Sequence, residues 1–414
     1  MPNIILPETL SPEETLKLMR EDAVYDISDH EPSAFGFLNS AMDIKSKRNP
    51  PKVPKIYMAN RCIFDCTYCG CRCANEKRGY VYEPSELSAL AVSEAKNSSC
   101  GIFITSAIHR SPDYTVELIV ETLRKIRFEH NYKGYIHAKI MPGTDPLLVE
   151  QAGWLADRLS VNIELPSSEG YKTIAKQKNK KNILGPMGNI SYNIRSHAGR
   201  IDKNGRRYAK SGSTTQMMVG TMGESDRTVL TLSEALYKKY DMRRVYYSPF
   251  GVPKIPTDTL PDKKTPSWRS RRMYQADRLT QLYNFTSEEL LTEHSPNLEY
   301  DIDPKAVWAM RNIGMFPIEV NRADYDELIR VPGIGITWAK RMIEARRHCI
   351  LTHEILRKMK ISLKRAAFFI TCDGKYTGAD ILDNTAALRH NLCDTHEQLS
   401  FDGCDEIYKI NCYT

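Results

Sequence analysis

Between residues 53 and 247 short extended apolar runs alternate with helical stretches, and this rhythm limits the possible folds more than any other feature. Extended runs are predicted over 53–59, 101–106, 135–140, 160–165, 214–219 and 244–247. Helices are predicted between them over 86–96, 116–131, 146–159 and 226–240. The second of these places Leu118, Ile119, Leu123, Ile126 and Phe128 at helical spacing,. Strands separated by helices at this interval predict parallel βα units. Six such units fit an open barrel as well as a doubly wound sheet, and the pattern alone does not choose.

The first predicted strand runs into Asn60-Arg61-Cys62-Ile63-Phe64-Asp65-Cys66-Thr67-Tyr68-Cys69-Gly70, with cysteines spaced C-x3-C-x2-C. A [4Fe–4S] cube takes a thiolate on each iron. Three thiolates on one loop would hold three irons and leave the fourth open to a small molecule. Structural zinc closes its site with four ligands, usually in two separated pairs. Cys71 and Cys73 follow at once, so a four-sulfur zinc site is the alternative. These two thiols are also weak candidates for hydrogen-atom donation to a substrate.

Eleven cysteines, five of them within 62–73, argue for metal in an intracellular chain rather than a disulfide framework,. The apolar runs are interrupted every few residues, so no membrane span is expected. The first residues lack the pattern of an export signal, and a cytoplasmic location is expected. A formal charge of +7 permits an anionic partner without demanding one,. Residues 1–50 read as a polar helical extension, with Ser11-Pro12-Glu13-Glu14 as a helix start,. The βα core is expected over 51–265, a helical linker over 266–315, and a polar tail over 376–414.

Residues 316–375 have another character. Asn321 to Gly335, followed by a helix over 336–347, resembles a helix–hairpin–helix motif with Leu328, Ile329, Ile334, Ala339, Met342 and Ile343 along its seam. Gly333 and Gly335 would allow the tight turn, leaving backbone N–H groups beside Ile334 and Gly335 to meet a phosphate oxygen. Lys340, Arg341, Arg346 and Arg347 add positive charge. Such contacts grip a nucleic-acid backbone without reading its sequence. The alternative is a helical corner used only for packing. The basic runs over 172–181 and 269–272 are weaker signals, since lysine runs are usually solvated faces.

The cysteine loop resembles that of the radical S-adenosylmethionine (SAM) superfamily, and with the hairpin the chain is similar, over roughly 20–375, to a family described as DNA modification or repair radical SAM proteins. The resemblance implies a partial (β/α)6 TIM-like barrel with a C-terminal all-helical helix–hairpin–helix domain. It implies a [4Fe–4S] cluster on Cys62, Cys66 and Cys69, with SAM on the open iron and Tyr68 against the adenine. Met218 to Asp226 is similar to the superfamily's fifth-strand motif, which implies SAM contacts at Gly220, Gly223 and Glu224; Ser225 or Asp226 as a helix cap is the plain alternative. Glu164, Ser167 and Ser168 occupy the fourth-strand position that often faces the ribose or the SAM carboxylate. Where many members end the second strand in Gly-Gly-Glu, this chain has Thr105-Ser106-Ala107-Ile108, so Thr105 and Ser106 are expected to take the amine. Implied partners are a nucleic acid (DNA before RNA), a uracil-DNA-glycosylase-like protein, and an electron donor such as flavodoxin or ferredoxin. The rival readings are a radical SAM enzyme acting on RNA, a protein or a small molecule, and a non-catalytic nucleic-acid scaffold with zinc.

Overall fold

The computed structural model describes residues 53–75, 79–98, 101–253, 255, 257–361, 363–378, 382 and 384–393. The expected N-terminal extension, and the tail beyond residue 393, lie outside the described residues. The chain divides into two units, one holding the described residues up to Glu224 together with Ala235–Thr265, the other Ser225–Glu234 and the described residues from Pro266.

The first unit is built on β1 (Lys55–Tyr57), α1 (Pro84–Ser98), β2 (Ile102–Thr105), α2 (Pro112–Phe128), β3 (Ile136–Lys139), α3 (Pro146–Leu155) and β4 (Arg158–Ser160). It continues with α4 (Ser168–Ile174), α5 (Lys180–Ser196), β5 (Ser213–Val219), α6 (Asp226–Tyr240), whose residues up to Glu234 belong to the second unit, and β6 (Arg244–Pro249). The six strands form one sheet in sequential order, and every neighbouring pair is parallel. The register runs Ile56, Ile104, Ala138, Leu159, Ser213 across the first five strands. A doubly wound sheet must reverse its strand order somewhere. Here it never reverses, so crossovers of one hand lay the helices on one side, and the sheet is the open six-stranded barrel.

Local chemistry explains the elements. Ser111 caps α2 by accepting from the Tyr114 N–H at 3.0 Å, Pro112 takes the first turn, and Val116, Ile119, Leu123 and Ile126 are fully buried,. Each such side chain contributes about 1.5–3 kcal/mol on leaving water. β2 is buried at all four positions, as a parallel strand covered on both faces should be,. β4 pairs earlier than the predicted 160–165 run, because Glu164 turns left-handed at φ +61° and leaves only an isolated bridge to Met217. No helix was expected over 180–196, where Gly185, Pro186 and Gly188 interrupt the pattern; Pro186 is accommodated inside α5.

The second unit comprises α7 (Ser267–Leu282), α8 (Ser287–Leu290), α9 (Pro304–Arg311), β7 (Ile318–Glu319), α10 (Tyr325–Arg330), α11 (Ile336–Ala345), α12 (His353–Lys358) and α13 (Leu363–Ala366). β8 (Ile370–Cys372), β9 (Lys375–Tyr376) and α14 (Thr385–Leu392) follow. It is mainly helical, but β7, β8 and β9 form a small sheet where a wholly helical domain was expected. Glu319 fastens that sheet by accepting from the N–H groups of Asn321, Asp373 and Gly374 at 2.9–3.1 Å. Burial pushes the Glu319 carboxyl up, and these donors outweigh it, taking it down to about 2,. The basic run at 269–272 turns inward. Arg272 is fully buried, donating to the carbonyls of Glu299 and Tyr300, and Arg269 pairs with Asp226 at 2.6 Å.

Candidate functional site

Parallel strands end on one side of a sheet, and there the first unit opens a cavity. Tyr57, Ser106, Lys139, Gln216, Met218 and Ser248 line it from the C-terminal ends of five strands or just beyond, and Asn162 and Glu164 come from the segment after β4. Loops at this edge are where barrels of this kind place their chemistry.

The cysteine loop forms one wall. It is closed by the Cys62 N–H donating to the Cys71 carbonyl at 2.7 Å and the Cys69 N–H to the Cys66 carbonyl at 2.9 Å. Arg72 holds Asp65 with two bonds of 2.6 and 2.7 Å. The loop is pinned to two neighbours: Ile63 N–H reaches the Ile108 carbonyl, and Thr67 N–H the Ile174 carbonyl, both at 2.9 Å. Cys62, Cys66 and Cys69 all line the cavity. Two of them receive amide hydrogens, Cys62 from Phe64 at 3.3 Å and Cys69 from Cys71 at 3.4 Å. Donors aimed at sulfur favour the thiolate, the form that binds metal.

The cavity holds a buried cation that the sequence did not single out. Lys178 lies 3.6 Å from the Glu164 carboxylate, both side chains 11% exposed, and donates to the Tyr68 hydroxyl at 3.1 Å. Burial pulls its ammonium down, but Cys66, Glu164 and Cys69 outweigh this and hold it protonated. Burial raises the Cys66 thiol to about 11 despite Lys178. The Cys69 thiol falls to about 7, chiefly because the Cys71 thiol bonds to it. Burial drives the Tyr68 hydroxyl well above its ordinary range, leaving it neutral.

Among the described residues no group of three or more His, Cys, Asp or Glu side chains converges to hold a single metal ion. A zinc site needs four donors around one point. The loop instead lines the cavity with Cys62, Cys66 and Cys69, with Cys71 beside them, and the first three are the donor set that a cube with one open corner would take,.

The other predicted residues divide. Tyr68, Ser106 and Glu164 line the cavity; Thr105, Ser167, Gly220, Gly223 and Glu224 do not. Ser167 is occupied as the cap of α4, accepting from the Gly170 N–H at 3.2 Å. The Glu224 carboxylate closes its own loop by accepting from the N–H groups of Gly220, Thr221 and Met222. Gly220 sits at φ +86°, and a Cβ there would lie 2.1 Å from the Thr265 hydroxyl oxygen. Cys71 is buried and lines the cavity, whereas Cys73 is exposed and outside it. Gln216 and Asn162 were missed. Gln216 carried a signal, being an amide within the otherwise apolar end of a buried strand.

In the second unit α10 and α11 flank the turn at Val331 to Gly335. Asp324 and Glu327 form a capping box on α10. Gly333 needs its φ of +89°, and a Cβ would press within 3.1 Å of the Ala366 amide nitrogen. Ile334 is buried, and its carbonyl accepts from Lys305 Nζ at 2.6 Å. Burial pulls the Lys305 ammonium down to about 7. Gly335 caps α11 without a side-chain bond, and Lys340 and Arg341 are exposed, with Arg341 over the Trp338 ring. Arg346 is used internally, donating to the carbonyls of Val320 and Ala323.

No family model matches the chain, and no curated protein does. Solved structures similar to it include the FeFe-hydrogenase maturase HydG from Carboxydothermus hydrogenoformans, with 17% identity, 66% of this chain and 64% of that one covered, and a TM-score of 0.42. Another is the radical S-adenosylmethionine methyltransferase TsrM from Kitasatospora setae, solved with cobalamin and a [4Fe-4S] cluster, with 14% identity, 85% and 62% covered, and a TM-score of 0.35. The chain spans less than two thirds of the length of either protein.

Proposed function

We propose that this chain is a radical SAM enzyme whose substrate is a nucleic acid, DNA before RNA. The observation that supports it most is the set of three thiols, from one C-x3-C-x2-C loop, lining a cavity at the C-terminal edge of a six-stranded parallel barrel. Cys62, Cys66 and Cys69 would hold a [4Fe–4S] cluster, and the rest of the cavity would receive SAM. Bound there, with an electron from an external donor such as flavodoxin or ferredoxin, the two would supply reductive cleavage of the sulfonium, releasing methionine, and so the means to take a hydrogen atom from a substrate.

The chain's own side chains do the positioning. Lys178 offers an ammonium for the SAM carboxylate, with Glu164 and the Tyr68 hydroxyl fixing where it points. The Ser106 hydroxyl donates to the Ala107 carbonyl and accepts from the Ala59 N–H, tying the first two strand ends together. Ile140, Met141 and Met218 line the cavity with apolar surface, which keeps water from a reactive species,. In the second unit the hairpin, with Gly333 and Gly335 in its turn and Lys340 and Arg341 exposed beyond, suits a phosphate backbone, whereas the Ile334 N–H is spent on the Val331 carbonyl at 3.1 Å and is not a donor to it,. A base stacked inside a duplex cannot enter a recess at the strand ends, so the substrate is single-stranded, damaged or flipped.

The test uses anaerobically reconstituted protein. Iron, sulfide and SAM cleavage to 5′-deoxyadenosine are expected in the unaltered chain and absent in Cys66→Ala. Zinc without sulfide would leave only the scaffold reading. Mass spectrometry of nucleic acids digested from cells with and without the protein then identifies the modified nucleotide, and a change confined to RNA would correct the substrate.

A further inference from the structure

The cavity mouth carries cations that the site itself does not use. Lys176 precedes α5, Lys180 and Lys181 open it, and all three are exposed. They flank Lys178, which turns inward to the cavity. Two sets of bonds fix the segment that carries them beside the cavity. The stretch before α5 is tied to the cysteine loop through the Ile174 carbonyl and through Gln177, whose side-chain oxygen accepts from the Asp65 N–H at 3.3 Å. The first turn of α5 is tied to the wall after β3, where the Gly143 N–H donates to the Asn182 carbonyl at 2.7 Å.

The acids on the surrounding loops are already engaged. Asp65 holds Arg72, Glu164 faces Lys178, and Glu169 faces Lys172. Asp113 accepts from the Asp145 N–H, and Asp145 caps α3. Among the described residues Lys176, Lys180 and Lys181 have no acidic partner. The placement of the last two is also unfavourable for the isolated fold. They stand in the first turn of a 17-residue helix with no acid there, where the dipole is already positive,.

We propose that Lys176, Lys180 and Lys181 form a rim that holds the backbone of single-stranded nucleic acid across the cavity mouth while one nucleotide enters. This rests on the nucleic-acid half of the function proposed above and adds to the barrel unit a grip independent of the hairpin. Exposed lysines bind a single small anion weakly because water and salt screen each one. A polyanion gains from all of them together through counterion release. Tyr57 and Phe64 line the cavity and give an entering base aromatic surface,. A flat headgroup surface has no part that enters such a recess.

The experiment measures fluorescence anisotropy of a labelled single-stranded DNA 12-mer with the full chain from 50 to 200 mM salt. It compares the unaltered protein, the triple variant Lys176→Ala/Lys180→Ala/Lys181→Ala, and the hairpin variant Lys340→Ala/Arg341→Ala, each checked for a melting temperature no lower than that of the unaltered chain. Each lost phosphate contact lowers the log–log salt slope by about 0.7 for a single strand, so the triple variant should lose about 2. With the two proteins equal at about 1 M salt, its affinity at 50 mM salt should fall about 400-fold by the same relation. Binding by the unaltered chain with the same slope in the triple variant overturns the rim and leaves the nucleic-acid reading standing. No binding by the unaltered chain overturns both. Lysine-dependent binding to phosphatidylserine vesicles without binding to DNA overturns the rim in favour of a membrane surface.

Discussion

Replacing Lys178 by Met should unsettle the cavity before any cofactor is considered. The methionine keeps most of the apolar stem and removes the ammonium 3.6 Å from Glu164 and 3.1 Å from the Tyr68 hydroxyl. At that separation and an effective dielectric of 20, the gross attraction is about 5 kcal/mol. Desolvation offsets much of it, so the net value of the pair is small. Breaking the pair is another matter, because the Glu164 charge stays behind in a wall where its side chain is 11% exposed. Such a stranded charge costs about 3–5 kcal/mol. The double variant Lys178→Met/Glu164→Gln strands nothing and should recover most of that loss. Denaturant unfolding of the metal-free, reduced protein at pH 7 gives the comparison, with Glu164→Gln completing the cycle. A Lys178→Met protein within 1 kcal/mol of the unaltered chain would refute the buried network, as would a double variant as unstable as the two single changes summed.

Three further outcomes follow from particular residues. Gly220→Ala should destabilise the barrel unit by about 2–4 kcal/mol, combining the left-handed φ with the contact at Thr265, and Thr265→Ala should restore only the steric part in thermal melts,. Glu319 is held at about 2 in the folded chain against 4.5 unfolded. Its contribution is therefore complete above about 4.5 and is lost as the pH falls toward 2. Discounted for exposure, that is about 1–2 kcal/mol, and Glu319→Gln should flatten this part of a stability–pH curve. Cys71→Ala should keep iron and sulfide at the unaltered level, because its thiol bonds to Cys69 as a neighbour; loss of iron would make Cys71 a ligand.

How far the sequence reaches differs between fold and site. β2, β3, β5 and the helices α2 and α6 were legible from their apolar periods, though α2 begins at Pro112, before the predicted start at residue 116. α5 was hidden by Gly185, Pro186 and Gly188, and the small sheet by strands only two or three residues long, too short to show a period. The cysteine loop declared itself because metal binding depends on spacing within one segment. Lys178 did not, since in sequence it is one lysine among several. Only the bonds that draw 174–177 against the cysteine loop turn it from solvent into the cavity. Ser167 and Glu224 show the converse, as residues of the right type at the right place in the chain whose oxygens are spent on local backbone N–H groups.

The central claim is that the loop holds three corners of an iron–sulfur cube and leaves the fourth to SAM. Electron paramagnetic resonance of the reduced, reconstituted protein tests it most directly, recorded with and without SAM. The account predicts a [4Fe–4S]⁺ signal that shifts when SAM is added and is absent from Cys66→Ala. A signal indifferent to SAM would contradict it, and so would a Cys66→Ala protein that keeps the unaltered spectrum.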